Sequence, residues 1–244
     1  MFKKFFWSLV VIILLVGIGF TLYSCAPKKE SATKPEEKKE EAKVVVSETA
    51  EKEEAKQEIE VTGELVKPKL KLTREGALIA ADFDTCKKPN NLGGGFGAWN
   101  KDPNDFTQGC FDSFVSTIKR GDEGCSIQLM YDVDSPNPAY NGFWMRLQGI
   151  DLSDYKALSF WVKGDEVRGF TKVFKVELKN TKGQMGRYYV TEVTKDWKEI
   201  VIPLDKFAGL EDRTSMHEFV IVFEDRIATK KEGAIYIDDI VFLK

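Results

Sequence analysis

From Gly76 to the C-terminus, apolar residues recur at every second position in short runs, broken by turn chemistry, and no run carries a helical stripe of useful length. Lys172–Leu178 shows the pattern: Phe174, Val176 and Leu178 fall on one side, and Lys175, Glu177 and Lys179 on the other. Successive side chains of a strand point to opposite faces, so each such run needs one face covered. Ala77–Phe83, Gly142–Leu147, Leu158–Lys163, Arg187–Val193, Lys198–Ile202, Glu218–Phe223 and Ala234–Leu243 read the same way. Ser113–Ile118 and Ser126–Val133 flank Lys119-Arg120-Gly121-Asp122-Glu123-Gly124 and read as a hairpin. Some ten strands within residues 75–244 predict an all-β fold of two packed antiparallel sheets, a β-sandwich or jelly roll. A closed barrel has the same periodicity.

The alternation does not extend upstream. Residues 26–74 contain no aromatic residue and balance 12 basic against 12 acidic side chains, which predicts a disordered tether, since so little apolar surface cannot offset ordering entropy. Residues 75–244 hold 23 aromatics and a net charge of −5, from 22 basic and 27 acidic residues. That acidity excludes a broad nucleic-acid binder, which needs a basic face.

Lys3 and Lys4 precede a largely apolar run of 16 residues, Phe5–Phe20, short for a spanning helix and matching a signal-peptide core. Leu22-Tyr23-Ser24-Cys25 resembles a bacterial lipobox. The resemblance implies cleavage after Ser24, lipidation of Cys25, and a lipoprotein held at a membrane on the periplasmic or extracellular face. The expected organisation is a signal peptide over 1–24, the lipidated Cys25 with a charged linker over 25–74, and a folded domain over 75–244.

Within that domain, Leu152-Ser153-Asp154-Tyr155-Lys156-Ala157-Leu158-Ser159-Phe160-Trp161-Val162-Lys163-Gly164-Asp165 resembles the central strand signature of galactose-binding-like jelly rolls. Trp197–Leu204 followed by Phe207, and the closing Ile235-Tyr236-Ile237-Asp238-Asp239-Ile240, resemble it too. Over residues 76–244 the chain is similar to family 11 carbohydrate-binding modules and to the bacterial domain named after complex I intermediate-associated protein 30. Asn90-Asn91-Leu92-Gly93-Gly94-Gly95 departs from the Met-Gly-Gly-x-Ser form of the respiratory-assembly proteins, against an assembly role.

Asp82 and Asp84 end the first strand, and Asp238 and Asp239 lie in the last. The resemblance implies that these strands run side by side and that acids from both hold a structural calcium, a hard cation suited to carboxylate oxygens. For a glycan, sugar C–H faces call for flat aromatics with planar polar partners. Trp144 and Arg146 share a strand face, as do Arg187 and Tyr189. Trp99 lies beside a glycine-rich stretch, and Lys175 and Glu177 point away from their strand's apolar side. The expected ligand-binding residues are therefore Trp99, Trp144, Arg146, Glu177, Arg187 and Tyr189. Gly93–Gly97 lacks the Lys-Ser/Thr of a phosphate loop and reads as a bend between strands. His217 is the only histidine, which leaves a Ser-His or metal-hydrolase site without its parts, and nothing singles out a carboxylate pair such as Glu177 and Glu192. Cys86, Cys110 and Cys125 are odd in number beyond Cys25, and Cys86–Cys110 is the favoured disulfide. The expectation is a tethered, non-catalytic carbohydrate-binding domain that captures a polysaccharide or oligosaccharide. A module holding an envelope protein is the alternative.

Overall fold

Alternation at period two leaves each strand with one apolar and one polar side, and the chain satisfies both by stacking two sheets apolar side inward. The computed structural model describes residues 73–244; the leader, Cys25 and nearly all of the tether lie outside the described residues. Eleven strands follow in order: β1 Leu78–Ala81, β2 Phe96–Asn100, β3 Gly109–Val115, β4 Ser126–Asp132, β5 Tyr140–Ile150, β6 Ala157–Gly164, β7 Phe174–Asn180, β8 Met185–Val190, β9 Lys198–Pro203, β10 Met216–Glu224 and β11 Glu232–Leu243. Among the described residues one short helical turn spans Leu204–Lys206. One sheet runs β3-β4-β11-β6-β9, with β1 continuing the β4 side of β11, and the other runs β2-β5-β10-β7-β8. All pairings are antiparallel. The result is the expected sandwich rather than a barrel.

Phe143, Met145 and Leu147 of β5, Phe174, Val176 and Leu178 of β7, and Phe219, Ile221 and Phe223 of β10 face Ile127, Leu129, Leu158, Phe160, Val162, Ile235 and Ile237 of the opposite sheet. The two layers lock through aromatic contacts. Tyr131 stacks on Phe223 with centroids 4.1 Å apart, and Phe160 meets Phe219 edge-on at 6.1 Å. The packed apolar residues run from Ala77 to Leu243, so residues 73–244 carry a complete core. The Thr73 N–H donates to the Lys244 carbonyl, which fixes where the upstream chain enters.

β2 is the strand the alternation rule missed. Its sequence, Phe-Gly-Ala-Trp-Asn, offers one strong inward residue, Phe96, and a glycine where an outward side chain would stand. Read by pattern it is a bend, and Trp99 is a loop residue. In the structure Phe96 is buried against Phe83, Phe114 and Phe143, and β2 pairs along β5 from Phe96↔Met145 to Asn100↔Asn141.

The disulfide expectation is corrected. Cys86 joins Cys125, not Cys110, and closes a 39-residue separation. Cys110 is a buried free thiol on the inward side of β3, where burial pushes its pKa well up. Strand alternation decides this, since Cys110 points into the core whereas Cys86 and Cys125 meet at the end of the β3–β4 connection.

Candidate binding face

Register across the β2-β5-β10-β7-β8 sheet assembles the outward side chains into rows. One row is Trp99–Gly142–Val222–Lys175–Tyr189, and the next is Gly97–Trp144–Val220–Glu177–Arg187. A third joins Arg146, Glu218, Lys179 and Met185, and Tyr140 pairs with Glu224 at the far end. All six expected binding residues stand on this one face. A groove of about 590 Å³ is lined by Trp99, Tyr140, Trp144, Arg146, Glu177 and their neighbours on β7 and β10.

The aromatic wall has a local cause. Trp144 lies beside two glycines, Gly95 just before β2 and Gly97 within it: a Cβ at Gly95 would come 3.6 Å from its ring, and one at Gly97 3.8 Å from its Nε1. The stretch read as a bend thus packs at ordinary van der Waals distance beside the indole. Trp99 meets Tyr140 edge-on at 5.9 Å, and its Nε1 is shielded with no partner among the described residues. Gly142, between them, has no room for a side chain, because a Cβ there would fall 1.9 Å from the Ile221 carbonyl oxygen.

The polar half is a chain of ion pairs. Arg146 Nη1 lies 3.3 Å from Glu218 Oε1, Lys179 Nζ bridges Glu218 at 3.1 Å and Glu177 at 3.7 Å, and Lys175 Nζ bridges Glu177 at 3.1 Å and then Glu224. Arg187 Nε adds a contact to Glu177 at 3.8 Å. Burial works against the Lys175 charge, but its bonds to Glu224 and Glu177 outweigh it and raise the pKa. The floor is therefore nearly charge-compensated, offering donors and acceptors side by side, and Arg146 also lies over the Trp144 ring at 5.3 Å. Sequence reasoning missed Tyr140, Glu218 and Glu224. Tyr140 precedes its strand's alternating stretch, and the glutamates look like ordinary solvent-facing acids until register sets them beside lysines.

Arg187 and Tyr189 are the outliers of the six, because neither lines the groove. Tyr189 shares the face by register with Lys175 but sits half exposed on edge strand β8 and lines a smaller recess toward β9. Trp161 and Trp197 stay outside the groove; Trp161 is on the opposite sheet, stacked under the Arg120 guanidinium at 3.5 Å. Glu192 pairs with Lys198, and His217 contacts Arg146 at the groove margin.

The four aspartates expected to hold calcium do come together, because β1 pairs with β11. Burial raises the pKa of Asp84, Asp238 and Asp239, and mutual repulsion adds to it: Asp82 acts on Asp84, Asp239 and Asp84 on Asp238, and Asp84 and Asp82 on Asp239. The charge suits a cation. However, among the described residues no three acidic, histidine or cysteine side chains converge on one point able to hold a metal. Arg120 partly answers the charge, with its Nε 3.7 Å from Asp239 Oδ2, while its backbone N–H donates to Asp238 Oδ2 at 2.8 Å.

Two stacked antiparallel sheets with an aromatic groove across one outer face define a β-sandwich binding domain. Residues 94–244, more than half of the chain, match carbohydrate binding domain 30, and the chain belongs to that family. Among solved structures it is similar to the family 11 carbohydrate-binding module of the cellulosomal cellulase Lic26A-Cel5E of Clostridium thermocellum, at 20% identity and a TM-score of 0.50, covering 68% of this chain and 94% of that one. It is also similar to a family 11 module from the same organism in complex with a β-1,3-1,4-mixed-linked tetrasaccharide, at 18% identity and a TM-score of 0.51 over the same shares of both chains. At that identity these structures show a shared fold. No curated protein matches the chain.

Proposed function

We propose that this chain is a lipid-anchored, non-catalytic carbohydrate-binding protein, holding its sandwich off a membrane on a charged tether and capturing a β-linked glucan in the groove of the β2-β5-β10-β7-β8 sheet. One observation carries the reading: Trp99, Tyr140 and Trp144 line one groove together with a compensated row of Arg, Lys and Glu. Sugar rings present apolar C–H faces to the indoles, and their hydroxyls bridge the donor and acceptor pairs. A floor with little net charge favours a neutral glycan over a uronic-acid polymer. The tetrasaccharide bound by the family 11 module supplies the first ligand to try.

Binding without turnover fits the same floor, since Glu177, Glu218 and Glu224 are all engaged by lysines. A structural calcium among Asp82, Asp84, Asp238 and Asp239 belongs to the proposal on charge alone. Titration calorimetry of residues 73–244 with mixed-linked β-glucan tests the reading. Saturable binding supports it. Silence with mixed-linked glucan, cellulose oligosaccharides and cell-wall polymers at millimolar ligand rejects it, and retention of an envelope protein instead would select the protein-docking alternative.

A further inference from the structure

The groove ends at Tyr140 and Glu224, at the pole of the sandwich where the β2–β3, β6–β7 and β10–β11 connections gather. β11 starts at this pole with Glu232 and ends at the other beside Thr73, 11 steps of strand and thus roughly 36 Å away. The pole therefore lies opposite the point where the tether enters. A second cavity of about 680 Å³ opens there on the far side from the groove, within the ordinary size of small-ligand sites. Its floor is the outward side of the other sheet, where Gly109, Asp132 and Glu232 form one register row and Phe111 and Met130 belong to the next.

Two features mark this cavity as more than a surface dent. Phe106 is 95% exposed and Phe111 65% exposed, so two aromatic rings border it with little of either covered by protein. Arg168 and Glu232, both exposed at its rim, make no ion pair among the described residues, whereas the charges of the groove floor are joined in a network. Asp105 is different: Thr107, Gln108 and Asn137 saturate it, so it shapes the loop rather than waiting for a ligand. Exposed rings beside a guanidinium and a carboxylate are the same residue classes as in the groove, here with the charges free to meet hydroxyls. The two sites also adjoin. Gln108 Oε1, in the cavity wall, accepts the Tyr140 N–H at the groove end, and Asn100 of the cavity follows Trp99 of the groove.

We infer that the Phe106/Phe111/Arg168/Glu232 cavity is a second glycan site, engaging a sugar ring of a polysaccharide that has left the groove past Tyr140. This inference rests on the proposed function of the groove. Two adjoining sites on one polymer bind with avidity that neither has alone.

The test is a nuclear magnetic resonance titration of isotope-labelled residues 73–244 with the mixed-linked tetrasaccharide, following the Trp99 and Trp144 indole N–H signals for the groove, and the Phe106 and Phe111 ring and Arg168 Nε–H signals for the pole. Separate saturation of both sets is expected. The Phe106→Ala/Phe111→Ala double variant, at exposed positions that spare the core, should lose the pole response, keep the groove response and weaken long-chain glucan binding at least about tenfold. Trp144→Ala should do the reverse. A groove response alone overturns this inference and leaves the proposed function standing. A pole response alone removes the groove reading and, with it, the inference of a second site on the same polymer, and no response from either also removes both. Pole signals that still shift in the double variant overturn the inference, because the rings are then not the platform.

Discussion

Trp144 lines the groove with its indole and packs against its own protein beside Gly95 and Gly97. Trp144→Ala should therefore weaken glycan affinity by about 2 kcal/mol, roughly thirtyfold, with little change in melting temperature. A titration showing unchanged affinity would remove stacking from the account. Asp238 makes a prediction about pH. Burial, with Asp239 and Asp84 nearby, pushes it up to about 7 against the hydrogen bond from Arg120, while the unfolded chain holds an ordinary value of about 3.9. A raised folded pKa means the folded state binds the proton more tightly, so that contribution to stability is complete below the unfolded value and is lost as pH rises through about 7. In chelator, the melting temperature should fall between pH 5 and 8, and Asp238→Asn should flatten that slope. A flat slope in the parent protein contradicts the assignment. Carboxylates held low, such as Asp212 beside Lys182 and Thr214, act only at more acidic pH and leave this window clear.

Single strands explain what was legible in the sequence. β5, β7 and β10 announce their faces by alternation, so Trp144 with Arg146, and Lys175 with Glu177, can be placed on one strand face each without knowing the register. β2 and the disulfide were not, for related reasons. A strand whose outward position is a glycine has no alternation to read, and a cysteine pair depends on where two distant loops meet. Register was also invisible: that Tyr140, Glu218 and Glu224 complete the site follows from how β5 and β10 pair, not from either strand alone. Gly142→Ala, which drives a methyl into the Ile221 carbonyl oxygen, should cost at least about 1–3 kcal/mol, read as a lowered melting temperature. Loss of the Cys86–Cys125 bridge by Cys125→Ser releases a 39-residue constraint and should cost about 4 kcal/mol on the loop-closure estimate. Cys110→Ser should leave the disulfide intact on mass spectrometry; an altered pairing would contradict the structure.

At the scale of the whole molecule, the sandwich sorts its two outer faces. One sheet carries the groove, while the other brings β1 and β11 together so that four aspartates lie near one another with Arg120 as neighbour. If calcium completes that site, chelation should lower the melting temperature of residues 73–244 and added calcium restore it. An unchanged melt would mean that Arg120 alone answers the charge. Thr73, the first described residue, bonds the C-terminal Lys244 at the pole away from the exposed phenylalanines. The account depends most on the groove binding a neutral glycan through its aromatic wall. Calorimetry of residues 73–244 with mixed-linked β-glucan, beside the same titration of Trp99→Ala/Trp144→Ala, addresses that directly. The parent should bind saturably and the folded double variant should not. Equal heats from both proteins, or none from the parent, would contradict it.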